Sequence, residues 1–407
     1  MKDSRKVIED TIRGFRDKYG LSWSDIVIGT GGDVLEALTN QKVLYCKEFR
    51  PDFIAFEPES IAEADSIVAE FQADGAKVVQ EKRFGERIFL FAFSMKVPIP
   101  IGPLPPLPKV PNWEQPFPVH KRLNSATTPG EKTPFWFKGE IYRLDNIGGD
   151  PLHQLGKKTR TCNIRREADD KLIAENIFPH HYFAFAFVWK DRCYCYAEND
   201  SNQHHLDYVY SDDLVHWSQP QTVIDLTDLG QSIFNNSVTW DGKRFVMACE
   251  TNDSSYPIFT PKFLESDDLI HWKFIPNAMF VPDRYAGGPA LYWNQNDGYY
   301  YFCYVDQVLH PTVHRLYYRN SISRSRDLIN WQDPPEGRAI VVPDFNFRPF
   351  PDDYPDVYEF NTSDVEFIED NGKLRIYFSG GNQLGVGDDQ TAEREGTLLE
   401  TLSSFFK

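Results

Sequence analysis

Four acidic residues recur at one place in a repeating pattern. Asp145, Glu198, Glu250 and Asp306 each stand six to eight residues beyond a tight-turn residue (Gly139, Asp191, Gly242 and Gly298) at the end of a β-rich run. In an antiparallel hairpin the end of the second strand and the start of the first open on the same side. Asp364 in "NTSD" opens a further run of this kind and so faces the same way. Two carboxyl groups brought together can divide acid and base work at a glycosidic bond, and crowding like charges raises the pKa of at least one, as a general acid requires. Around the same rim fall His180, His181, Asn235, Asn236, Tyr285, Trp136 and Gln383. Amides bond hydroxyls in forks and aromatic faces suit the C–H surfaces of sugars, so the set is that of a carbohydrate site. The expected catalytic pair is Asp364 with Glu250, with Asp306 and Glu198 orienting substrate or tuning pKa. Asp145 and the amides, imidazoles and aromatics are expected substrate contacts.

The elements that must position these residues are hairpins. "FWFKGEIYRLDN", "FVWKDRCYCYAEND", "VTWDGKRFVMACETN", "LYWNQNDGYYYFCYVD" and "VEFIEDNGKLRIYFSGG" each join two β-rich runs through a turn. After three of them a third run leads into "SDDLVHW" (Ser211–Trp217), "SDDLIHW" (Ser266–Trp272) or "SRDLINW" (Ser325–Trp331). In that heptad Ser and Asp can bond backbone N–H groups, Leu plugs the core and Trp packs between sheets. Units of about 50–75 residues with four strands each predict a propeller. The expected fold is an all-β five-bladed β-propeller over residues 133–407.

Ahead of it, "PIPIGPLPPLPKVPNWEQPFP" holds nine of the 28 prolines, which excludes helix and sheet interior and predicts an extended strap within a linker over 98–132. Residues 1–97 read as a small α/β module: a helix over 3–19, strands at "DIVIGTG", "KVLYCKE" and "DFIAFEPE", helices over "DVLEALTN" and "SIAEADSIVAEFQADG", and a hairpin in "AKVVQEKRFGERIFLFAF". Its turn "IGTGGDV" offers free backbone N–H groups to a phosphate, but lacks a Walker lysine and a full dinucleotide fingerprint. Asp52 and Glu57, five apart, would face opposite ways, unlike the paired metal-binding acids of nucleotidyltransferases. A net charge of −17 argues against nucleic acid as a partner. The polar amino terminus and the lack of a run of roughly 20 apolar residues predict a cytoplasmic protein with no membrane partner. The six cysteines, scattered along the chain, are expected as buried free thiols.

Blades ending in Ser-x-Asp-Leu-x-x-Trp, with aromatic hairpins such as "DGYYYFCYV", resemble the five-bladed glycoside hydrolases of families 43, 32 and 117 over residues 133–407. The resemblance implies a glycosidase with three axial acids: a general acid Glu, a base or nucleophile Asp, and an orienting Asp. The chain departs from the pattern at "GGPALYW", where Gly288 stands in place of the Glu of family 43's Glu-Gly-Pro. Family 32's Asn-Asp-Pro-Asn-Gly and Arg-Asp-Pro are missing, and "MACETN" matches its Glu-Cys motif only loosely. A divergent member is therefore expected, hydrolysing glycosides without an organic cofactor; a divalent ion at the axis is compatible with the residues, though none is assigned as a ligand. The alternatives are a non-catalytic carbohydrate-binding propeller, or a bifunctional protein whose amino-terminal module handles a nucleotide or phosphosugar.

Overall fold

The alternation of apolar and polar residues in the hairpins builds five antiparallel sheets. The structure, a computed structural model, describes residues 2–43, 51–83, 87–98, 103–106, 119–120, 131–147, 160–280, 285–349, 351–352, 355, 357–381 and 389–407. The sheets comprise strands within 132–174, 181–225, 233–279, 286–341 and 363–395. Their first strands, Lys132–Phe137, His181–Trp189, Ile233–Trp240, Ala286–Asn294 and Ser363–Asp370, contact one another in a closed ring, which makes the assembly an all-β propeller with these strands at its axis. Hydrogen bonds between neighbouring blades fix the ring: Ala184 N–H donates to Asn146 Oδ1 (2.8 Å), Leu291 N–H to Ser237 Oγ (3.0 Å), Phe367 N–H to Tyr292 Oη (3.3 Å) and Trp136 Nε1 to the Glu369 carbonyl (2.9 Å). The ring closes with chain from outside the fifth repeat. Val119 and His120, in the stretch read as linker, pair with Ala392 and Thr391 as that sheet's outermost strand. Two residues are too few for a periodic signal.

The heptads are turns with equivalent local bonding. Ser211, Ser266 and Ser325 accept the N–H of the Leu three residues on (2.8, 3.0 and 2.9 Å), and Asp213, Asp268 and Asp327 accept the next two N–H groups. Leu214, Leu269 and Leu328 are buried at φ of 65–69°, a left-handed conformation that L residues other than Gly seldom adopt. The indole N–H of Trp217 and Trp272 returns to the Leu carbonyl of its own turn, whereas that of Trp331 reaches Met279 in the preceding blade. These tryptophans are half-buried between blades; Trp331 stacks on Phe263 at 5.4 Å.

In the amino-terminal module the expected helices form at Arg5–Lys18, Val34–Asn40 and Ile61–Ala73, and strands at Val27–Gly31 and Pro51–Phe56. The expected strand "KVLYCKE" lies almost wholly outside the described residues. The expected hairpin is not formed. Lys77–Gln80 pairs in parallel with Val27–Gly31, while Phe89–Pro98 runs antiparallel between that strand and Pro51–Phe56. The run "IFLFAF" is apolar at nearly every position, and a central strand covered on both faces accommodates it better than a hairpin arm. The module docks on an extension of the fourth blade, whose strands Tyr299–Leu309 and Leu316–Ser325 outreach those of the other blades. There Leu316 joins the apolar cluster of Val34, Leu38, Phe53 and Phe91, Arg315 pairs with the fully buried Asp52, and Ala55 N–H donates to the His314 carbonyl (3.0 Å). Of the cysteines, Cys162, Cys193, Cys195, Cys249 and Cys303 are free and buried, and Cys46 lies outside the described residues. Among the described residues no helix is long and apolar enough to cross a membrane.

Candidate active site

Four of the five first strands carry a register slip near their axial ends. It falls between Tyr182 and Phe185, Ile233 and Asn236, Gly287 and Ala290, and Ser363 and Glu366. Such bulges add an unpaired residue and re-aim side chains. Three of the added residues, Phe183, Gly288 and Asp364, have φ of 53°, 58° and 54°. Together with Asn235 they line one open cleft, whose walls also include Glu131, Lys132, Asn236, Pro289 and Glu366.

Glu250, at the end of its strand, is buried against two residues of the cleft wall. Its carboxylate accepts the Gly288 N–H and faces Asn235 Nδ2 at 3.4 Å; the same Nδ2 lies 3.4 Å from Glu131 Oε1, so one amide spans two carboxyls. Burial pushes Glu250 up to about 8, assisted by the charge of Asp364 and opposed by the bond from Gly288. Burial also raises Asp364 to about 6, opposed by Ser363, and Glu366 to about 8, opposed by the hydroxyl of Tyr292, which donates to Glu366 Oε2 at 2.7 Å. Glu131 stands well above the usual carboxylate range through burial and the charges of Asp364 and Glu250. Among the described residues Lys132 is the one basic side chain lining the cleft, and it is paired with Asp389 at 2.5 Å. The arrangement holds protons on some carboxyls and not on others near neutral pH.

The structure thus brings Asp364, Glu250 and Asn235 together. Tyr285 stands beside them: a side-chain carbon placed on Gly287 would lie 2.7 Å from Tyr285 Oη and 3.4 Å from Glu250 Oε1, so both groups look onto the same point. Glu198 is buried nearby, raised to about 7 by burial, with Arg160 opposing. The other expected residues do different work. Asp145 is held by Arg143 (2.8 Å) and Arg165 (3.3 Å), and Asp306 by Arg319 (3.2 Å) and Ser321 (3.1 Å). Asn236 bonds the Phe183 and Tyr196 carbonyls, and His181 is clamped between the Pro179 carbonyl (2.7 Å) and Asp207 (2.9 Å) while stacking on Phe178. His180 is exposed at the blade end. Trp136 corrects the expectation most plainly: it precedes the turn at Gly139, at the hairpin end away from the axial mouth, and is 44% exposed. Gln383 lies outside the described residues.

Two acids of the cleft are absent from the sequence-based set. Glu131 falls one residue before the first strand, in the stretch read as linker, although the strand-start rule that selects Asp364 also points to it. Glu366 follows Asp364 by two, the spacing of residues on one strand face. Among the described residues no group of three or more His, Cys, Asp and Glu is arranged to hold a metal ion.

No protein-family model matches the sequence, and neither does any curated protein. Solved structures do. One described as a glycoside hydrolase superposes with a TM-score of 0.50 at 13% identity, covering 71% of this chain and 95% of that one. Another, described as a BT0996 RGII complex, gives 0.50 at 13% identity over 70% and 93%. At such identity the likeness is one of fold, and the resemblance to glycoside hydrolase propellers read in the sequence is met at that level.

Proposed function

We propose that this chain is a five-bladed propeller glycosidase that cleaves a glycosidic bond by carboxyl acid and base catalysis at the propeller axis. The observation that supports this reading is that Glu131 and Asp364 line one cleft while Glu250, from a third blade, bonds the Gly288 N–H and Asn235 in its wall, with burial raising all three carboxyls. At neutral pH Glu250, at about 8, keeps its proton and can give it to the leaving oxygen. Asp364, at about 6, has lost its proton and can take one from an attacking water or attack the anomeric carbon itself. Glu131, whose proton is held more tightly by burial, and Asn235 offer hydrogen bonds to sugar hydroxyls, and Asn235 links Glu131 to Glu250.

A panel of aryl glycosides and oligosaccharides tests this with the wild type, Asp364→Asn and Glu250→Gln. Each variant should keep its fold and carbohydrate affinity while turnover falls by about 10²–10⁴. Full activity in both variants would dismiss the pair; a wild type that neither binds nor cleaves any of the panel would dismiss the function.

A further inference from the structure

The amino-terminal module bears on the cleft. Its strand Val27–Gly31 ends in a turn where Gly32 N–H donates to the Lys82 carbonyl (2.8 Å), and Lys82 Nζ reaches across to the Ser254 carbonyl in the third blade. Ser254 belongs to the connection 252–259, which directly follows the strand carrying Glu250. That connection is braced at its base by Ser232 N–H on Asn252 (2.5 Å) and Lys262 on Asp253 (2.8 Å). Its last residue, Phe259, sits at φ 64°, a strained backbone for an aromatic residue, and meets Phe234 (5.2 Å) and Tyr285 (5.9 Å) edge to face. Phe234, Phe259 and Tyr285 are half-buried, so they form a ledge between the acids and the module. Asp33 is close enough for its charge to be felt at the Tyr285 hydroxyl, after burial, Glu250, Tyr318 and Asp364. The module therefore meets the propeller on both flanks of Tyr285: at Ser254 in the third blade and at His314–Leu316 in the fourth.

We infer that the Gly32–Asp33 turn and Lys82 of the amino-terminal module form one wall of the substrate cleft, recognising the part of a carbohydrate chain that extends past the ring held among the acids. This rests on the glycosidase reading. A ledge of aromatic rings flanked by one ammonium and one carboxylate suits a hydroxyl-rich chain that lays its C–H faces on the rings and bonds through its hydroxyls. It makes the module a determinant of chain length and leaves the chemistry at the axis.

The test compares an aryl monoglycoside with the matching oligosaccharide in the full chain, using Lys82→Ala and Asp33→Asn. Asn retains the cap that Asp33 gives to the Glu36 N–H (2.7 Å), so Asp33→Asn removes the charge and keeps the turn. Lys82→Ala and Asp33→Asn should each lower kcat/KM for the oligosaccharide through KM, Lys82→Ala about tenfold or more, and leave kcat on the monoglycoside within about twofold. Equal losses on both substrates, or no change on either, with a wild type that cleaves both, overturn the wall and spare the glycosidase. A wild type that binds no carbohydrate overturns both, and that outcome is read without the variants.

Discussion

Replacing Glu250 with Gln should make the protein more stable as it becomes far less active. Gln has the same outline and still accepts the Gly288 N–H, but carries no charge. The fully enclosed Glu250 releases its proton near pH 8, against an ordinary value of 4.5. The unfolded chain therefore ionises first, and between those values the folded state binds the extra proton. Stability falls by about 1.4 kcal/mol for each unit of rising pH in that window. At pH 7 the window has been crossed by about 2.5 units, a cost on the order of 3 kcal/mol that vanishes below about pH 4.5. Chemical denaturation of wild type and Glu250→Gln should thus agree near pH 4 and diverge by about 3 kcal/mol at pH 7, with the variant ahead. In parallel, wild-type kcat/KM should peak near pH 7, between an acid limb set by Asp364 at about 6 and an alkaline limb set by Glu250 at about 8; the variant should lose the alkaline limb. A variant less stable than wild type at pH 7, or one that keeps the alkaline limb, would refute the assignment of Glu250 as the protonated acid.

Gly288→Ala should lower turnover more than stability: its Cβ would stand 2.4 Å from Asp364 Oδ1 at a φ of 58°, so about 1–2 kcal/mol of backbone strain comes with a displaced carboxylate, measurable as ΔG of unfolding against kcat. Among the described residues Arg315→Ala leaves the buried Asp52 with the Tyr19 hydroxyl (2.7 Å) alone and should cost about 3–5 kcal/mol, with hydrogen exchange rising first in strand Pro51–Phe56. The junction should also loosen in acid. His310 donates from Nε2 to the Pro105 carbonyl (2.7 Å) and accepts Thr312 N–H at Nδ1 (3.2 Å), which fixes a neutral ring; His314 packs on Phe56 with Asp3 at 3.8 Å. Burial lowers both below the ordinary 6.5, so the stability they confer is complete above that value and is lost as pH falls from there through their lowered folded values. Protection factors at residues 2–5 and 51–56, corrected for the intrinsic slowing of amide exchange in acid, should fall as pH drops below 6.5, and a junction that tightens in acid would contradict this.

How far these features can be read in advance depends on whether their causes are local. The heptad is legible because each residue's role is satisfied within seven positions: Ser211 and Asp213 bond N–H groups of their own turn and Leu214 fills the space beneath. The strand-end rule gathers Glu250 and Asp364, which lie close together in the structure, and also sweeps in Asp145 and Asp306, which are held by arginines. Asp145 shares a strand face with Arg143, a cue available in the sequence. Asp306 is opposite Arg319 on the adjoining strand, which becomes visible only when the register Asp306↔Arg319 is known. Glu131 is lost to a boundary drawn one or two residues late. The strand order of the amino-terminal sheet is beyond sequence spacing, because a parallel partner can come from anywhere along the chain.

The bulges explain why the departure at Gly288 leaves an acid in the cleft. In the proposed mechanism the fourth blade contributes a backbone N–H in place of a carboxyl, and the carboxyl comes from Glu250 at the end of the third blade's second strand. The exchange is sterically coupled. A side chain at 288 would collide with Asp364 Oδ1, and one at 287 with the Tyr285 hydroxyl, so two glycines in succession are what allow Glu250, Asp364 and Tyr285 to share the space. Phe183 and Asp364 hold left-handed backbone at corresponding places in the second and fifth blades, each at about 1–3 kcal/mol of strain, and the closed ring of inter-blade hydrogen bonds holds them there. The same ring keeps several carboxyls in one cleft, a repulsive arrangement that a looser fold would relieve by letting them turn to solvent.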